Sequence, residues 1–290
     1  MIPGTQARIE AALSCRVVKS TSVAGGDINE AYRIELSDGR RAFVKANLTA
    51  PKGMFPAEAT GLKWLRDAAQ IRVPEVYAVC RNDATGQAAF LVLEWIEPGP
   101  AIHGFDEMLG RNLAALHQIS APSFGLEANN FIGSLPQDNQ PESDWCEFFW
   151  KRRLEPQMKR AVLAQKLDAA DERACQKLRA KLPELFDTQE LPARLHGDLW
   201  GGNLLTDLSG MPCLIDPAVY GGHREMDLGM MRLFGGIPSR VFDAYAECYP
   251  LAPGFENRIP VTQLYPLLVH VNLFGGGYAE SVRRVLSRYV

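Results

Sequence analysis

Polar residues at fixed intervals interrupt the leucine-rich segment RLHGDLWGGNLLTDLSGMPCLIDP, residues 194–217. Transfer of a phosphoryl group from a nucleotide requires a base for the acceptor hydroxyl, oxygen ligands for Mg²⁺, a cation on the phosphates and a partner that holds this cation. Asp198 opens the loop and is the candidate base. Asn203 and Asp216 offer a neutral and an anionic oxygen, which suits a hard metal ion that also keeps phosphate oxygens and waters in its shell. The segment therefore has the residue types of a phosphoryl-transfer site.

The candidate cation is Lys45, in the middle of the apolar segment AFVKAN. A lysine inside an apolar strand is costly to bury unless it is paired, so the pattern favours a functional role. Glu58 follows on a predicted helix and is the candidate partner of this lysine.

Short segments rich in Val, Ile, Phe and Tyr predict strands between residues 15 and 97. They read CRVVKS, AYRIEL, RAFVKAN, PEVYAVC and AAFLVLEWI. Asp38-Gly39 predicts a hairpin of the second and third strands, because the turns that match strand twist require positive φ. One helix, PAEATGLKWLRDAA at 56–69, interrupts these strands, with Glu58 expected in its first turn near the positive end of the helix dipole.

A mainly helical period follows the Pro-Gly segment EPGP at 97–100. The exception is 204–216, where two short strands around a turn would bring the ligands at 203 and 216 together. These patterns predict an α+β protein with a small β-rich N-terminal lobe, 1–97, and a larger mainly helical C-terminal lobe, 98–290.

The spacing of HGDLWGGN matches the H-x-D-x-x-x-x-N catalytic loop of the protein-kinase fold, and Asp216 follows at the distance of that fold's second metal-binding Asp. Two departures are informative. Trp200 stands where kinases acting on Ser or Thr usually have Lys, and Pro217 after Asp216 means that there is no D-F-G. Without an A-P-E motif downstream, phosphorylation of proteins through an activation loop is not expected.

HGDLWGGN resembles the Brenner-type loop of the aminoglycoside phosphotransferase and choline kinase superfamily, and more narrowly the fructosamine kinase (ketosamine-3-kinase) family. The narrower resemblance extends over nearly the whole chain. Its segments are AGGDINEAYRI, FVKAN, FPAEATGLKWL, DWCEFFWKRRL, LHGDLWGGN, IDPAVYGGHREMDLGMMRLFGG and LYPLLVHVNLFGGGY. The resemblance implies a two-lobed protein-kinase-like fold and ATP-dependent phosphorylation of the 3-hydroxyl of a sugar joined to an amine through an Amadori rearrangement. The phosphate ester would then decompose and free the amine.

The resemblance also implies a role for each matching residue, with ATP bound between the lobes and Mg²⁺ on its phosphates. Asp198 matches the base, Asn203 and Asp216 the metal ligands, Lys45 the phosphate lysine and Glu58 its partner. The interlobe hinge that binds adenine through its backbone would include Glu94, Trp95 and Ile96. Gly25 and Gly26 would let the backbone approach the phosphates, as glycine does where a side chain would clash.

Other conspicuous side chains receive more modest interpretations. Trp200 lies between the base and the metal Asn, and we expect it to form a wall of the acceptor pocket, where an indole could stack on a sugar or amine. We expect His196 to brace the loop and Asp227 to support it through hydrogen bonds. The remaining histidines lack joint metal-ligand spacing, and the aromatic cluster at 145–150 is expected in the core.

Composition and net charge limit the classes of partner that this chain is expected to bind. The chain has 290 residues, 22% of them charged, and a formal net charge of -3. Neither a basic stripe, a leader-like N-terminus nor a long apolar run is present, so we expect no nucleic acid and no membrane as partners, and a cytoplasmic location. The six scattered cysteines suggest reduced, mostly buried thiols. The expected partners are ATP and a small sugar-amine acceptor, with the amine either free or on a glycated protein lysine, and the oligomeric state is left open.

Three alternatives remain at this stage. The acceptor could be an aminoglycoside, a choline-like alcohol or another sugar. The chain could be a nucleotide-binding pseudokinase that serves as an interaction module, although it keeps the base and both metal ligands. A metal-dependent hydrolase using His196 and Asp198 would need further histidine and carboxylate ligands at suitable spacing.

Overall fold

A computed structural model of the chain describes residues 1–24, 28–80, 86–186 and 190–289. The predicted α+β class is confirmed, since an antiparallel sheet dominates the N-terminal part and helices dominate the remainder. Within these ranges, no helix combines the length and the apolar character that a membrane span requires.

Helices and strands alternate in the following order along the chain. The helices are α1 (Thr5–Leu13), α2 (Met54–Arg66), α3 (Phe105–Gln118), α4 (Trp145–Phe148), α5 (Glu155–Leu163), α6 (Ala169–Leu185), α7 (Glu225–Leu233), α8 (Ser239–Cys248), α9 (Phe255–Phe274) and α10 (Tyr278–Leu286). The strands are β1 (Val17–Val23), β2 (Glu30–Leu36), β3 (Arg41–Asn47), β4 (Val76–Cys80), β5 (Ala89–Glu94), β6 (Asn130–Ile132), β7 (Leu135–Gln137), β8 (Ala193–Leu195), β9 (Leu204–Thr206), β10 (Pro212–Leu214) and β11 (Tyr220–Gly222).

The chain divides into two compact units. The first contains Met1–Phe105 and Leu204–Pro217, and the second contains Asp106–Asn203 and Ala218–Val290. The hairpin of β9 and β10 therefore groups with the N-terminal strands, although it follows the catalytic-loop segment in sequence.

The first unit is built on an antiparallel sheet with the strand order β1-β2-β3-β5-β4. The predicted hairpin is confirmed, because β2 pairs with β3 and Gly39 adopts φ 87 in the connecting turn. Strand β3 is central, and its side chains alternate between the two faces. Ala42, Val44 and Ala46 join the apolar core that includes Ile9 of α1, so Lys45 leaves the sheet on the opposite face.

Helix α2 packs against β4 and β5. It begins at Met54 and has no acidic residue in its first turn. The sequence-based expectation that Glu58 occupies the first turn is therefore wrong. The helix begins two residues before Pro56, where the sequence had placed its start. A proline is tolerated in the first turn because the N–H groups there have no intrahelical partner, so no helical hydrogen bond is lost.

The second unit packs its helices around one large apolar core. The aromatic cluster predicted for this core is confirmed, since Trp145, Phe148, Phe149 and Trp150 are all buried. The segment between α4 and α5, Phe149–Leu154, is π-helical. Such segments are rare and occur mostly near functional sites.

All six cysteines are free thiols. Only Cys175 and Cys213 are buried, so the prediction of mostly buried thiols is wrong in its second half. Burial raises the pKa of each of these two thiols to about 12, which keeps them protonated and unreactive.

Candidate active site

Lys45 is held between two carboxylates in the first unit. Its Nζ lies 2.8 Å from Glu58 Oε1 and 2.7 Å from Asp216 Oδ1. The side chains of Lys45 and Glu58 are 8% and 12% exposed, whereas Asp216 is 40% exposed. The structure therefore brings together three predicted site residues. Sequence spacing had indicated the contact with Glu58 but not the contact with Asp216.

The two carboxylates beside Lys45 determine its protonation state. Burial acts to lower the pKa of Lys45, but the carboxylates of Asp216 and Glu58 outweigh it and the pKa is raised. Burial raises the pKa of Glu58, against the opposing effect of Lys45. Lys45 is thus a permanent cation, as expected of a side chain that contacts phosphate oxygens.

Asp216 has a left-handed backbone conformation, with φ 56. This conformation costs a non-glycine residue about 1–2 kcal/mol and is often found at functional sites. Asp216 follows β10 closely, and the Leu214 N–H of that strand donates to the Arg72 carbonyl oxygen at 2.9 Å. The hairpin thus fixes the segment that carries Asp216.

Arg72 ties the same hairpin to the end of β5. Its guanidinium pairs with Asp207 in the hairpin turn and with Glu94 at 2.6 Å. Asp207 is buried, and its Oδ1 accepts the N–H groups of Ser209 and Met211 at 2.9 and 3.0 Å. Sequence reasoning missed Arg72 and Asp207. The only signal was the turn chemistry of the segment Asp-Leu-Ser-Gly at 207–210.

The predicted hinge residues continue from the end of β5. The Glu94 N–H donates to the Glu75 carbonyl oxygen at 2.7 Å, and the Trp95 N–H donates to the Arg41 carbonyl oxygen at 3.4 Å. Ile96 is buried, and within the described ranges its N–H has no intramolecular acceptor. Of the three backbone N–H groups, only that of Ile96 is without an acceptor among the described residues.

The predicted phosphate-binding glycines, Gly25 and Gly26, lie outside the described residues. Their assignment rests on the sequence alone. The strands on either side, β1 and β2, pair antiparallel.

In the second unit, the side chain of Asn203 holds Asp198 in place by hydrogen bonds within the segment HGDLWGGN. Asn203 Nδ2 donates to the Asp198 carbonyl oxygen at 2.8 Å and to Asp198 Oδ2 at 3.1 Å. The preceding Gly197 adopts φ 83, and a Cβ there would lie 2.0 Å from the Ala218 carbonyl oxygen. Glycine is required at this position, both for its conformation and for the close approach of the two backbones.

A buried carboxylate supports this loop from beneath. Asp227 Oδ2 accepts the His196 N–H at 2.7 Å, and Oδ1 accepts the Gly197 N–H at 2.9 Å. His117 Nε2 lies 3.2 Å from Asp227 Oδ2, and its Nδ1 lies 2.9 Å from the Tyr245 hydroxyl. Burial acts to raise the pKa of Asp227, but the hydrogen bond from His117 and the other contacts lower it overall.

His196 is fully buried, and its Nδ1 accepts the Asp198 N–H at 3.3 Å. These contacts match the bracing role that the sequence indicated for His196 and the supporting role that it indicated for Asp227. Sequence reasoning missed His117, because a histidine on a distant helix gives no sign of its partner.

Trp200 is 38% exposed and packs edge-on against Phe234, with ring centroids 5.8 Å apart. A Cβ on Gly202 would lie 2.3 Å from the Trp200 ring, so the third glycine of the loop leaves room for the indole. The indole is thus held in place at the surface instead of being buried in the core.

A small cavity adjoins Asp198 within the second unit. Its walls are mostly apolar and aromatic, as is typical of small-molecule sites, and Asp198 is part of its lining. It is lined by Ile132, Gly197, Asp198, Tyr220, Met226, Met230, Tyr265, Pro266, Val269 and His270.

Arg153 supports two of these walls and was missed from the sequence. It is fully buried in the π-helical segment and lies 4.0 Å from the Tyr220 ring centroid and 5.4 Å from that of Tyr265. Its guanidinium donates to the Asn139 side-chain oxygen at 2.7 Å. A buried cation stacked on aromatic rings in this way fixes the tyrosines.

The donors suit a hard divalent cation. Asn203 uses its amide nitrogen on Asp198, which leaves its amide oxygen as a neutral ligand. Asp216 is partly exposed and contributes a carboxylate. A neutral amide oxygen and a carboxylate oxygen are both donor types that fit a metal which keeps phosphate oxygens and waters in its shell. Among the described residues, His, Cys, Asp and Glu form no group of three that could hold a metal without such ligands.

Comparison with known proteins gives a consistent result. A family model described as fructosamine kinase matches residues 4–290. A probable ketoamine kinase from Enterococcus faecium is 39% identical over 272 residues, which cover 93% of this chain and 95% of that protein. The chloroplastic protein-ribulosamine 3-kinase of Oryza sativa subsp. japonica is 37% identical over 279 residues, with coverages of 95% and 80%.

Solved structures agree with this result. The crystal structure of a candidate fructosamine-3-kinase from Thermobifida fusca superposes with a TM-score of 0.87 at 39% identity, covering 99% of this chain and 100% of that one. An aminoglycoside phosphotransferase shares the fold, with a TM-score of 0.63 at 15% identity and coverages of 99% and 98%. The predicted kinase-like fold is therefore confirmed. By the extent of the family match and the identity to its relatives, this chain belongs to the fructosamine kinase family.

Proposed function

We propose that this protein transfers the γ-phosphoryl group of ATP to the 3-hydroxyl of a ketosamine, with Asp198 as the base. The chain is a kinase by family, and its relatives are named ketoamine and protein-ribulosamine kinases. The observation that carries the proposal is the pair of hydrogen bonds from Asn203 Nδ2 to Asp198, at 2.8 and 3.1 Å. A nucleotide-binding module without catalysis has no need of an oriented carboxylate at this position.

The chemistry assigned to Asp198 is simple. Its carboxylate accepts a hydrogen bond from the acceptor hydroxyl and aims the oxygen at the γ-phosphorus. As the new O–P bond forms and the bond to ADP breaks, the hydroxyl proton passes to Asp198 and then to solvent.

Lys45 would bind phosphate oxygens of ATP, and the Ile96 N–H would donate to the adenine. Asn203 and Asp216 would hold Mg²⁺, which supplies positive charge to the transferred phosphoryl group when it is bound. Trp200, partly exposed and held against Phe234, would cover one side of the acceptor. We place this reaction in the cytoplasm and include glycated protein lysines among the acceptors.

The test is the release of ADP from Mg-ATP in the presence of a fructosamine, a ribulosamine, an aminoglycoside or choline. We expect turnover with the two ketosamines, and phosphate on O3 of the product by NMR. Turnover with an aminoglycoside or choline alone would refute the ketosamine assignment, and release of ADP with none of the four would favour a module without catalysis.

For the base, Asp198→Asn should lower kcat by roughly 10²- to 10⁴-fold, because proton acceptance is lost. Calorimetric titration should show nearly unchanged ATP binding. The control is Asp243→Asn, which makes the same chemical change at an exposed position of α8. Near-normal turnover of Asp198→Asn would show that another group accepts the proton.

A further inference from the structure

The cavity beside Asp198 leads to a row of aromatic side chains in the second unit. His270, from α9, lines the cavity and contacts the row at the same time. Its ring centroid lies 4.9 Å from Phe234, 5.5 Å from Phe274 and 4.9 Å from Tyr278. Phe234 and Phe274 are 40% and 51% exposed, so the row runs from the cavity to the surface.

The hydrogen bond of His270 fixes which ring nitrogen carries the proton. Nδ1 lies 2.7 Å from the Pro266 carbonyl oxygen. A carbonyl oxygen can only accept, so Nδ1 must be the donor, and in the neutral ring Nε2 is left with a lone pair. Burial lowers the pKa of His270, which favours this neutral form.

A ketosamine carries a cation near the hydroxyl that Asp198 would reach. In a ketosamine, the amine is attached to C1 and the phosphorylated hydroxyl to C3, so the amine lies a few ångströms from the oxygen that Asp198 must reach. At neutral pH the amine is a secondary ammonium, which carries N–H donors. Among the side chains lining the cavity, Asp198 is committed to the hydroxyl and most of the others are apolar or tyrosine. Tyr265 donates its hydroxyl hydrogen to the Gln137 side-chain oxygen at 2.7 Å, and His270 Nε2 offers this lining a neutral nitrogen acceptor.

We infer that His270 is the residue that recognises the amine of the acceptor: its Nε2 accepts a hydrogen bond from the secondary ammonium, and the aromatic row of Phe234, Phe274 and Tyr278 covers the substituent on the nitrogen. This inference rests on the proposed function and names its specificity determinant. An outward row of exposed rings also gives a large N-substituent a path to solvent, as an acceptor on a protein lysine requires.

The test compares two ligands that differ in one atom. One is a fructosamine with an N-benzyl substituent, and the other is its ether analogue, in which oxygen replaces the amine nitrogen. Dissociation constants are measured by calorimetry in the presence of Mg²⁺ and a non-hydrolysable ATP analogue. We expect the wild type to bind the amine more tightly than the ether, because a hydrogen bond to a charged donor is worth roughly 10- to 100-fold.

His270→Phe keeps a ring in the row and removes the acceptor nitrogen. It should reduce the preference for the amine ligand over the ether ligand by roughly 10-fold, mainly because the amine ligand binds more weakly. His270→Gln offers an amide oxygen and should retain more of the preference than His270→Phe. His103→Phe, the same change at an exposed site of the first unit, should leave the preference unchanged. If His270→Phe lost the same affinity for both ligands, His270 would be only a packing residue and the inference would be overturned. An unchanged preference for the amine ligand would overturn it as well.

The row has a separate test. Phe274→Ala should weaken the binding of an N-benzyl ketosamine by roughly 3- to 10-fold relative to that of the N-methyl ketosamine, because one aromatic contact is lost. Leu163→Ala removes an exposed apolar side chain at the end of α5, 88% exposed against 51% for Phe274, and is the control. Equal affinity changes for both ligands would overturn the role of the row. Turnover of a fructosamine by the wild type tests the proposed function independently, since it does not depend on the preference between the two ligands.

Discussion

Replacement of Asp227 by asparagine tests whether a residue that we do not expect to touch either substrate controls catalysis. Its two oxygens accept the N–H groups of His196 and Gly197, at 2.7 and 2.9 Å, and Oδ2 also lies 3.2 Å from His117 Nε2. The side chain is 1% exposed. An asparagine is nearly the same size, but one of its two polar atoms is a donor, so at least one of these N–H groups would face a second donor.

The magnitude follows from the contacts. The variant loses one hydrogen bond to a charged acceptor, about 1.5–3 kcal/mol, and weakens the other two because the acceptor is no longer charged. The buried N–H that remains without a partner adds a desolvation cost, so we expect a loss of roughly 2–4 kcal/mol in the free energy of unfolding. For a unit of this size, this corresponds to a fall in Tm of roughly 5–15 °C. Displacement of the loop backbone should also lower kcat by roughly 10- to 100-fold.

Thermal unfolding and ADP release with a ketosamine acceptor measure these two effects, and Asp243→Asn is the matched control on the surface. A Tm within about one degree of the wild type would refute the assigned hydrogen bonds. A lowered Tm with unchanged kcat, measured well below the new Tm, would show that Asp227 stabilises the unit without positioning Asp198.

Two further predictions concern charges in the two units. Lys45→Met should weaken the binding of Mg-ATP by roughly 10- to 100-fold in calorimetric titration, because a charged contact to phosphate is lost; Lys63→Met, at a side chain 72% exposed, is the control, and equal affinities would refute the assignment. Burial and the neighbouring Arg258 and Arg224 lower the pKa of His223 to about 3, so the unfolded chain, in which the pKa of histidine is near 6.5, binds the extra proton first as the pH falls. His223 should therefore lower the free energy of unfolding by about 2 kcal/mol between pH 7 and pH 5. His223→Phe should show a correspondingly smaller fall in Tm over that range. Parallel profiles of Tm against pH for the variant and the wild type would show that His223 is protonated in the folded state.

Local patterns explain how much of the fold and of the site the sequence could predict. Asp198 and Asn203 lie on one short loop, so their spacing alone indicated a shared function. The strands of the main sheet have five to seven residues, and most of them carry a clear apolar pattern, although β1 is polar between the valines at its two ends. In contrast, β6 and β7 have three residues each, too few for any period to be seen. Helix α7 could not be predicted from periodicity for another reason, because most of its residues are buried, the acidic Glu225 and Asp227 included.

Long-range contacts account for the rest. Lys45 was recognised as a buried cation, but its contact with Asp216 joins residues that are far apart in sequence. The role of Arg72 depends on a hairpin that begins more than a hundred residues later. The tautomer of His270 depends on one backbone carbonyl. No spacing rule encodes these contacts, because they arise only when separate elements pack together.

The same device positions a functional segment in each unit. In the first, the buried Asp207 accepts two backbone N–H groups in the hairpin that leads to Asp216; in the second, the buried Asp227 accepts two at the loop of Asp198. Burial acts to raise the pKa of both carboxyls, yet the hydrogen bonds they accept lower it overall. Both polar atoms of a carboxylate accept hydrogen bonds, whereas one of the two polar atoms of an amide is a donor and would face the neighbouring donors. Substitutions at these two aspartates should therefore impair phosphoryl transfer although we assign neither of them a contact with either substrate.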